Sequence, residues 1–389
     1  MEENFTCFSG ADLADFGSDN QAFPEPCERS GLRLWQRRTS QHFLRICSQN
    51  GFAFSRGGHS SLSPEPLRHQ RLDGCARKRV IFIAGPTAVG KSRLAIELAK
   101  MLGGEIISAD SVQVYRGLDI GTAKVSREIR GQVPHHLIDI CDLSEMFNVA
   151  RFYELAVEAV HGSLERGHIP IIVGGTGFYL RSLLMGPPAG PPIDRQVREQ
   201  LEIDADKFGI EALYDKVDQC DPDYAATISR SDRHKIIRAL EIMMLSGKKV
   251  SDFSLEKQKQ HLAADWDCRC WFVYFPKPIL FPRIEMRCDE MIAKGFVTEV
   301  EALVDQGLEN NLSASQAVGY RQCLQFLHSP RLNQDWENFV WEFKRATRRY
   351  AKRQFTWFRK EPLFQWLDLD VYGYQKALEL ILKDYESCY

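Results

Sequence analysis

The chain has 389 residues, of which 44% are hydrophobic, and its formal net charge is −2 at pH 7. This length predicts two domains, or one core with an insertion, and no apolar run approaches the roughly 18 residues of a membrane span. Eleven scattered cysteines without a C-x-x-C pair indicate reduced thiols rather than a disulfide framework or a zinc site.

The first 78 residues differ from the rest in composition. Residues 29–72 contain eight arginines and many serines but one acidic residue, Glu65. Such a composition is typical of a transit peptide and predicts a plastid or mitochondrial protein. The alternative is a disordered basic arm on a cytoplasmic protein.

The next segment predicts a phosphate-binding loop. Residues 80–84 form a β-branched and aromatic run typical of a buried strand, and helix formers occupy residues 93–102. In such a loop, backbone N–H groups wrap phosphate oxygens, the lysine reaches the outer phosphate and the serine hydroxyl can bind Mg²⁺. The pattern indicates phosphate without specifying the ligand. Between strand and helix, the pattern G-x-x-x-x-G-K-S comprises Gly85, Pro86, Thr87, Ala88, Val89, Gly90, Lys91 and Ser92.

A second strand is predicted at residues 105–107, and it leads to Asp110. A strand–helix–strand crossover is right-handed and makes the two strands parallel. The loops after both strands then lie at one carboxyl edge, where ligands bind in open α/β sheets. We therefore expect Asp110 to lie near the phosphate site, although it could instead cap a helix.

A third strand is predicted at residues 168–173, after a helix over 148–166, and it ends in Gly174-Gly175-Thr176. The paired glycines predict a close approach of backbone to a ligand, and Thr176 supplies a hydroxyl. A P-loop ATPase often places a Mg²⁺-binding carboxylate after such a strand, so the glycines weaken the ATPase or kinase interpretation. His135 and His136 should point to opposite faces, which argues against a joint metal site.

The remaining pattern predicts a helical insertion and a return to the sheet. A Pro- and Gly-rich linker at 186–192 precedes predicted helices over 194–208, 211–219 and 222–247, and residues 271–275 read as a strand. One helix is predicted over 283–306, and Arg283 and Arg287 lie one turn apart on it. The two arginines would either bind a diphosphate together or belong to a solvated helix face. The predicted fold class is α/β, a parallel P-loop sheet flanked by helices. The predicted domains are 1–78, 79–189, 190–262 and 263–389.

Residues 344–360 carry eight cationic side chains, four aromatic ones and no acidic one. Cations suit a phosphodiester backbone, and aromatic rings suit either packing or stacking on an unpaired base. This stretch predicts nucleic-acid binding, and a solvated helix face is the alternative.

Taken together, these segments resemble the bacterial-type tRNA dimethylallyltransferases, also called tRNA isopentenyltransferases, over roughly residues 79–370. The resemblance implies transfer of a dimethylallyl group from dimethylallyl diphosphate to N6 of adenosine 37, beside the anticodon of tRNA, with diphosphate on the P-loop and Mg²⁺ as cofactor. No C-terminal zinc finger is present, and the first 78 residues have no bacterial counterpart. We expect a bacterial-like monomer, without membrane association, in a plant organelle. The matching segments are 85–92, 108–115, 119–124, 134–140, 173–179, 234–241, 283–287, 317–321 and 352–359.

The resemblance also implies roles for residues. Asp110 would take the N6 proton, while Lys91 and Arg283 would stabilise the leaving diphosphate. The whole loop 85–92, Thr176, Arg283 and Arg287 would bind diphosphate, with Ser92 on the metal. The residues expected to bind tRNA are Asp110, Ser111, Val112, Gln113, His234, Lys235, Ile236, Ile237, Arg238, Gly319, Tyr320, Arg321, Lys352, Arg353, Gln354, Phe355, Thr356, Trp357, Phe358 and Arg359.

Three other interpretations are open on the sequence. An adenylate isopentenyltransferase would act on free ATP, ADP or AMP and would not need the basic stretch. A P-loop small-molecule kinase would consume ATP. A non-catalytic RNA-binding protein would keep the P-loop only as scaffold.

Overall fold

The structure is a computed structural model that describes residues 78–187, 190–253 and 265–387. The predicted targeting segment, residues 29–72, lies outside these ranges. The described elements are, in chain order, β1 (Lys78–Ala84), α1 (Lys91–Leu102), β2 (Gly104–Ala109), α2 (Arg127–Gln132), β3 (His135–His136), α3 (Val149–Glu165), β4 (Ile169–Gly174), α4 (Gly177–Met185), α5 (Arg195–Phe208), α6 (Ile210–Cys220), α7 (Pro222–Ala225), α8 (Arg233–Ser246), β5 (Trp266–Tyr274), α9 (Lys277–Ala293), α10 (Phe296–Val304), α11 (Leu312–Ser315), α12 (Tyr320–Leu327), α13 (Asn333–Phe358), β6 (Gln365–Asp368) and α14 (Leu369–Glu386).

The six strands form one sheet in the order β3-β2-β4-β1-β5-β6, and every neighbouring pair is parallel. Ala84 at the end of β1 pairs with Gly174 of β4, and Gly174 pairs in turn with Ala109 at the end of β2. The loops after these three strands therefore begin at one edge of the sheet. The predicted fold class, a parallel P-loop sheet flanked by helices, is confirmed.

Burial explains why the central strand is a continuous apolar run. Val80 to Ala84 have no exposed surface, because β1 has a strand on each side and helices over both faces. Helix α1 buries Leu94, Leu98 and Leu102, spaced four residues apart, and it ends at Gly103 in the left-handed conformation.

Helices α5 to α8 surround a separate small core that includes Leu213, Val217, Ile236 and Ile237. The predicted single helix over 222–247 is wrong, because the chain forms α7 and then α8 after an intervening turn. Asp232 begins α8 by accepting a hydrogen bond from the backbone N–H of Lys235, as an N-cap residue does.

The predicted helix over 283–306 is also two helices. Gly295 adopts φ 94° between α9 and α10, in the left-handed region that glycine tolerates best. Helix α9 begins earlier than predicted, at Lys277. Within the described ranges, no helix combines the length and apolar character needed to cross a membrane.

Candidate active site

A cavity of about 600 Å³ opens at the carboxyl edge of the sheet. The loops after β1, β2 and β4 form part of its wall, and helices α9 and α13 close the opposite side. Lys91, Ser92, Asp110, Arg287 and Tyr350 all line it. Asp110 therefore lies beside the P-loop, as the right-handed crossover predicts.

The P-loop holds its lysine inside the cavity. Gly90 caps α1 with φ 97°, and Ala88 has φ 64°, so the chain turns sharply in front of the helix N-terminus. The Lys91 ammonium donates a hydrogen bond to the Pro86 carbonyl at 2.8 Å. Burial lowers the pKa of Lys91 to about 7, the Arg287 charge lowers it too, and the Asp110 charge acts in the opposite direction.

Arg287 adds a second cation to this cavity. Burial lowers its pKa, and among the described residues no carboxylate or hydrogen-bond acceptor pairs with its guanidinium. Two half-buried cationic side chains, Lys91 and Arg287, thus line one cavity, and their positive charge favours an anion there.

Arg283 lies outside the cavity, contrary to the expected pairing with Arg287. It is exposed; its Nε donates to the Ala88 carbonyl at 3.4 Å, and its guanidinium lies 4.7 Å from the Phe275 ring centroid. Gly85, Pro86 and Val89 do not line the cavity either, whereas Thr87, Ala88, Gly90, Lys91 and Ser92 do.

The lowered pKa of Lys91 predicts proton-linked binding of diphosphate. Above pH 7 the amine of Lys91 is largely neutral in the free protein. A bound diphosphate favours the charged ammonium, so binding takes up a proton. The affinity for diphosphate therefore falls as the pH rises above 7. Calorimetry at pH 8, in buffers with different ionisation enthalpies, should detect this uptake. K91M should abolish it, while K100M, which removes an exposed lysine of the same helix, should retain it. Equal uptake in wild type and K91M would contradict the assignment.

Asp110 both caps a turn and faces the cavity. Its Oδ1 accepts hydrogen bonds from the backbone N–H groups of Val112 at 2.9 Å and Gln113 at 3.3 Å. Among the described residues, Oδ2 has no hydrogen-bond donor. One oxygen therefore fixes the carboxylate while the other is available to a ligand. Ser111, Val112 and Gln113 also line the cavity.

Gly174 and Gly175 after β4 line the cavity, and they also leave room for protein neighbours, so the expected approach of their backbone to a ligand stays a prediction. A Cβ on Gly174 would lie 2.1 Å from the Ala109 carbonyl oxygen, and one on Gly175 would lie 2.1 Å from Gln354 Nε2. Thr176 does not line the cavity. Its hydroxyl hydrogen-bonds the Tyr350 side chain instead.

Several residues expected to touch tRNA make contacts within the protein, although Tyr320 and Gln354 also line the cavity. Ile236 and Ile237 lie in the small core. Tyr320 is buried, and its hydroxyl donates a hydrogen bond to Glu299 at 2.7 Å. Gly319 has φ 94° and lies against the Phe343 ring. Arg238 donates to the buried Glu241 carboxylate and to the Pro191 carbonyl. On α13, Gln354, Phe355 and Phe358 are buried, and Trp357 packs against Gly177. The residues of that set that are exposed are His234, Lys235, Arg321, Lys352, Arg353, Thr356 and Arg359.

The cations of α13 and of the two residues that follow it fall into two groups. Lys344, Arg345 and Arg348 form ion pairs with Asp289, Glu342 and Glu285. The second group has no carboxylate partner within the part of the chain that the structure describes, and its exposed positive charge is uncompensated. It consists of Arg349, Lys352, Arg353, Arg359 and Lys360.

Tyr350 and His135 are two of the cavity-lining residues to which the sequence assigned no role. Tyr350 lies in the basic stretch of residues 344–360. Burial raises the pKa of its phenol, and the Asp110 charge raises this pKa further, whereas the hydrogen bond with Thr176 lowers it. His135 also lines the cavity, while His136 bonds Glu105 at 2.6 Å. The helical period of apolar residues in α13 indicates which face of the helix is turned inward. This period is the sequence signal that could have placed Tyr350 toward the cavity.

The fold and this cavity define a P-loop α/β protein built to bind an anion beside a free carboxylate oxygen. The IPP transferase family model matches residues 113–361. The chain therefore belongs to the IPP transferase family, and it is a prenyl-transferring enzyme of the bacterial type.

Relatives and solved structures agree with this assignment. The tRNA dimethylallyltransferase of Protochlamydia amoebophila is 54% identical over 310 residues, 80% of this chain and 90% of the relative. That of Chlamydia caviae is 45% identical over 289 residues, 74% of this chain and 84% of the relative. The crystal structure of full-length tRNA isopentenylpyrophosphate transferase from Bacillus halodurans matches with TM-score 0.58 and 38% identity, covering 79% of this chain and 96% of that one. A eukaryotic dimethylallyltransferase acting on tRNA matches with TM-score 0.66 and 30% identity, covering 79% of each chain.

Proposed function

We propose that the protein transfers a dimethylallyl group from dimethylallyl diphosphate to N6 of adenosine 37 in tRNA, giving N6-isopentenyladenosine. One observation carries the proposal. Asp110, whose Oδ2 has no hydrogen-bond donor among the described residues, lines the same cavity as Lys91 and Arg287. A proton acceptor and a site for an anionic leaving group thus lie together, as this transfer requires.

The chemistry follows from these groups. The N6 lone pair of adenine is delocalised into the ring and is a poor nucleophile. As the bond from N6 to the allylic carbon forms and the carbon–oxygen bond breaks, Asp110 Oδ2 takes the N6 proton. Diphosphate leaves with increased negative charge, which Lys91, Arg287 and the P-loop N–H groups stabilise.

Mg²⁺ fits the donor set of this cavity. Mg²⁺ prefers oxygen ligands and usually combines one or two protein groups with substrate phosphates and water. No cluster of three His, Cys, Asp or Glu side chains suited to a metal occurs among the described residues, so the substrate would supply much of the coordination. We propose the Ser92 hydroxyl as the protein ligand, and the ion would neutralise charge on the diphosphate.

The acceptor is proposed to be an RNA rather than a free nucleotide. The uncompensated cations of α13 lie on an exposed helix face beside Arg353, which also lines the cavity. A loop nucleotide must leave its stack to enter such a cavity, at a cost of a few kcal/mol, and phosphate contacts along this face offset that cost. A free nucleotide needs no such surface.

A transfer assay distinguishes the candidate functions. Labelled dimethylallyl diphosphate is offered with unmodified tRNA, ATP, ADP or AMP as acceptor. We expect label in tRNA alone, without ATP consumption. Label in ATP or ADP would indicate an adenylate isopentenyltransferase, and stoichiometric loss of ATP would indicate a kinase.

A further inference from the structure

Gln354 of α13 joins two loops at the edge of the sheet. Its side chain is 5% exposed, and both of its amide atoms are engaged. Oε1 accepts a hydrogen bond from the Thr87 backbone N–H at 3.0 Å, and Nε2 donates to the Gly175 carbonyl at 3.0 Å. One buried side chain therefore holds the P-loop and the loop after β4 in a fixed relation.

The approach to the second loop depends on the absence of a side chain there. A Cβ on Gly175 would lie 2.1 Å from Gln354 Nε2, so only glycine lets the amide reach this carbonyl. The contact to the first loop involves Thr87, which lines the cavity just before Ala88 with its φ of 64°. The strained turn of the P-loop is thus supported from α13.

The same helix carries the cations proposed to hold RNA. Arg349 and Lys352 are exposed residues of this 26-residue helix, Arg359 follows its last residue, and all three lie within about five residues of Gln354. A helix transmits a shift of its outer face to its inner face, because its backbone hydrogen bonds make it rigid. A shift of α13 on binding RNA would be passed to the P-loop through the hydrogen bond between Gln354 and Thr87.

We propose that Gln354 is a positioning residue that couples RNA binding on α13 to diphosphate binding on the P-loop. With RNA bound, the two hydrogen bonds hold Thr87 and the following turn in the conformation that accepts diphosphate. This inference rests on the proposed function, since it assumes diphosphate in the cavity and RNA on α13. A merely structural glutamine would support the fold without making the two affinities interdependent.

The test is a binding cycle with the full-length chain. The dissociation constant of a non-transferable thio-analogue of dimethylallyl diphosphate is measured with and without an unmodified anticodon stem-loop, for wild type and Q354M. We expect the RNA to tighten analogue binding in wild type by about 5- to 150-fold, the usual range for coupled sites. In Q354M that factor should fall to about 1, while RNA binding alone stays within about twofold.

Two further variants keep the test decisive. Q334M makes the same change at an exposed position of α13 and should retain wild-type coupling. If Q354M does not fold, Q354E replaces it, because its carboxylate still accepts from Thr87 but no longer donates to Gly175, and the coupling should again disappear. Coupling unchanged in the folded Gln354 variant, or absent in wild type, would overturn the proposal. Transfer to tRNA by the same wild-type preparation separately reports whether the proposed function holds.

Discussion

Asp110→Asn is expected to lower kcat by about 10²- to 10⁴-fold, the usual contribution of a positioned general base. The asparagine Oδ1 can still accept from Val112 and Gln113, so the turn should persist and thermal stability should change little. The variant lacks only the negative oxygen that receives the N6 proton. The measurement is single-turnover transfer to tRNA at saturating concentrations of both substrates.

The matched control for this variant is Asp142→Asn. Asp142 is an exposed carboxylate paired with Arg116, away from the cavity, and its replacement should leave kcat unchanged. Near-normal turnover in Asp110→Asn at saturating substrates would remove Asp110 from the role of base.

The second large effect concerns the proposed RNA-binding face, formed by exposed cations of α13 and by Arg359, which follows the helix. Replacing Arg349, Lys352 and Arg359 together with Gln should raise the KM for tRNA at least about tenfold. The log–log salt slope should flatten by about 0.7 to 0.9 for each tRNA phosphate that the variant no longer neutralises. Arg353 is left unchanged because it also lines the cavity. Binding of the thio-analogue in the absence of RNA should stay within about twofold, since none of the three residues lines the cavity.

A second triple variant of the same helix provides the comparison. Lys344, Arg345 and Arg348 already have carboxylate partners, so changing them to Gln removes charge that is locally compensated. Its salt slope should stay close to that of wild type. Equal flattening in both triple variants would mean that net charge, rather than a defined face, governs RNA binding.

Local patterns made the P-loop and the position of Asp110 predictable. A buried apolar run, glycines at fixed spacing and helix formers specify strand, loop and helix within about 25 residues. The handedness of the crossover then places the next loop at the same edge. Neither inference requires knowledge of which distant segments meet.

Interactions between distant segments could not be inferred in this way. Gln354 and Thr87 are 267 residues apart, and nothing local to either indicates that they meet. The glycines at 174 and 175 line the cavity, but their local pattern does not reveal that they also make room for Ala109 and Gln354. In α13, by contrast, the burial of Ala351, Phe355 and Phe358 follows the helical period, which separates core aromatics from exposed cations.

The most direct test of the proposed transfer is nucleoside analysis of tRNA after reaction. Unmodified tRNA and a matched tRNA with guanosine at position 37 are each incubated with the full-length protein and dimethylallyl diphosphate. They are then digested and analysed by mass spectrometry. We predict N6-isopentenyladenosine from the first tRNA, mapped to position 37, and none from the second. Equal modification of both tRNAs, or modification of neither by a protein that binds dimethylallyl diphosphate, would contradict the assignment of adenosine 37 as the acceptor.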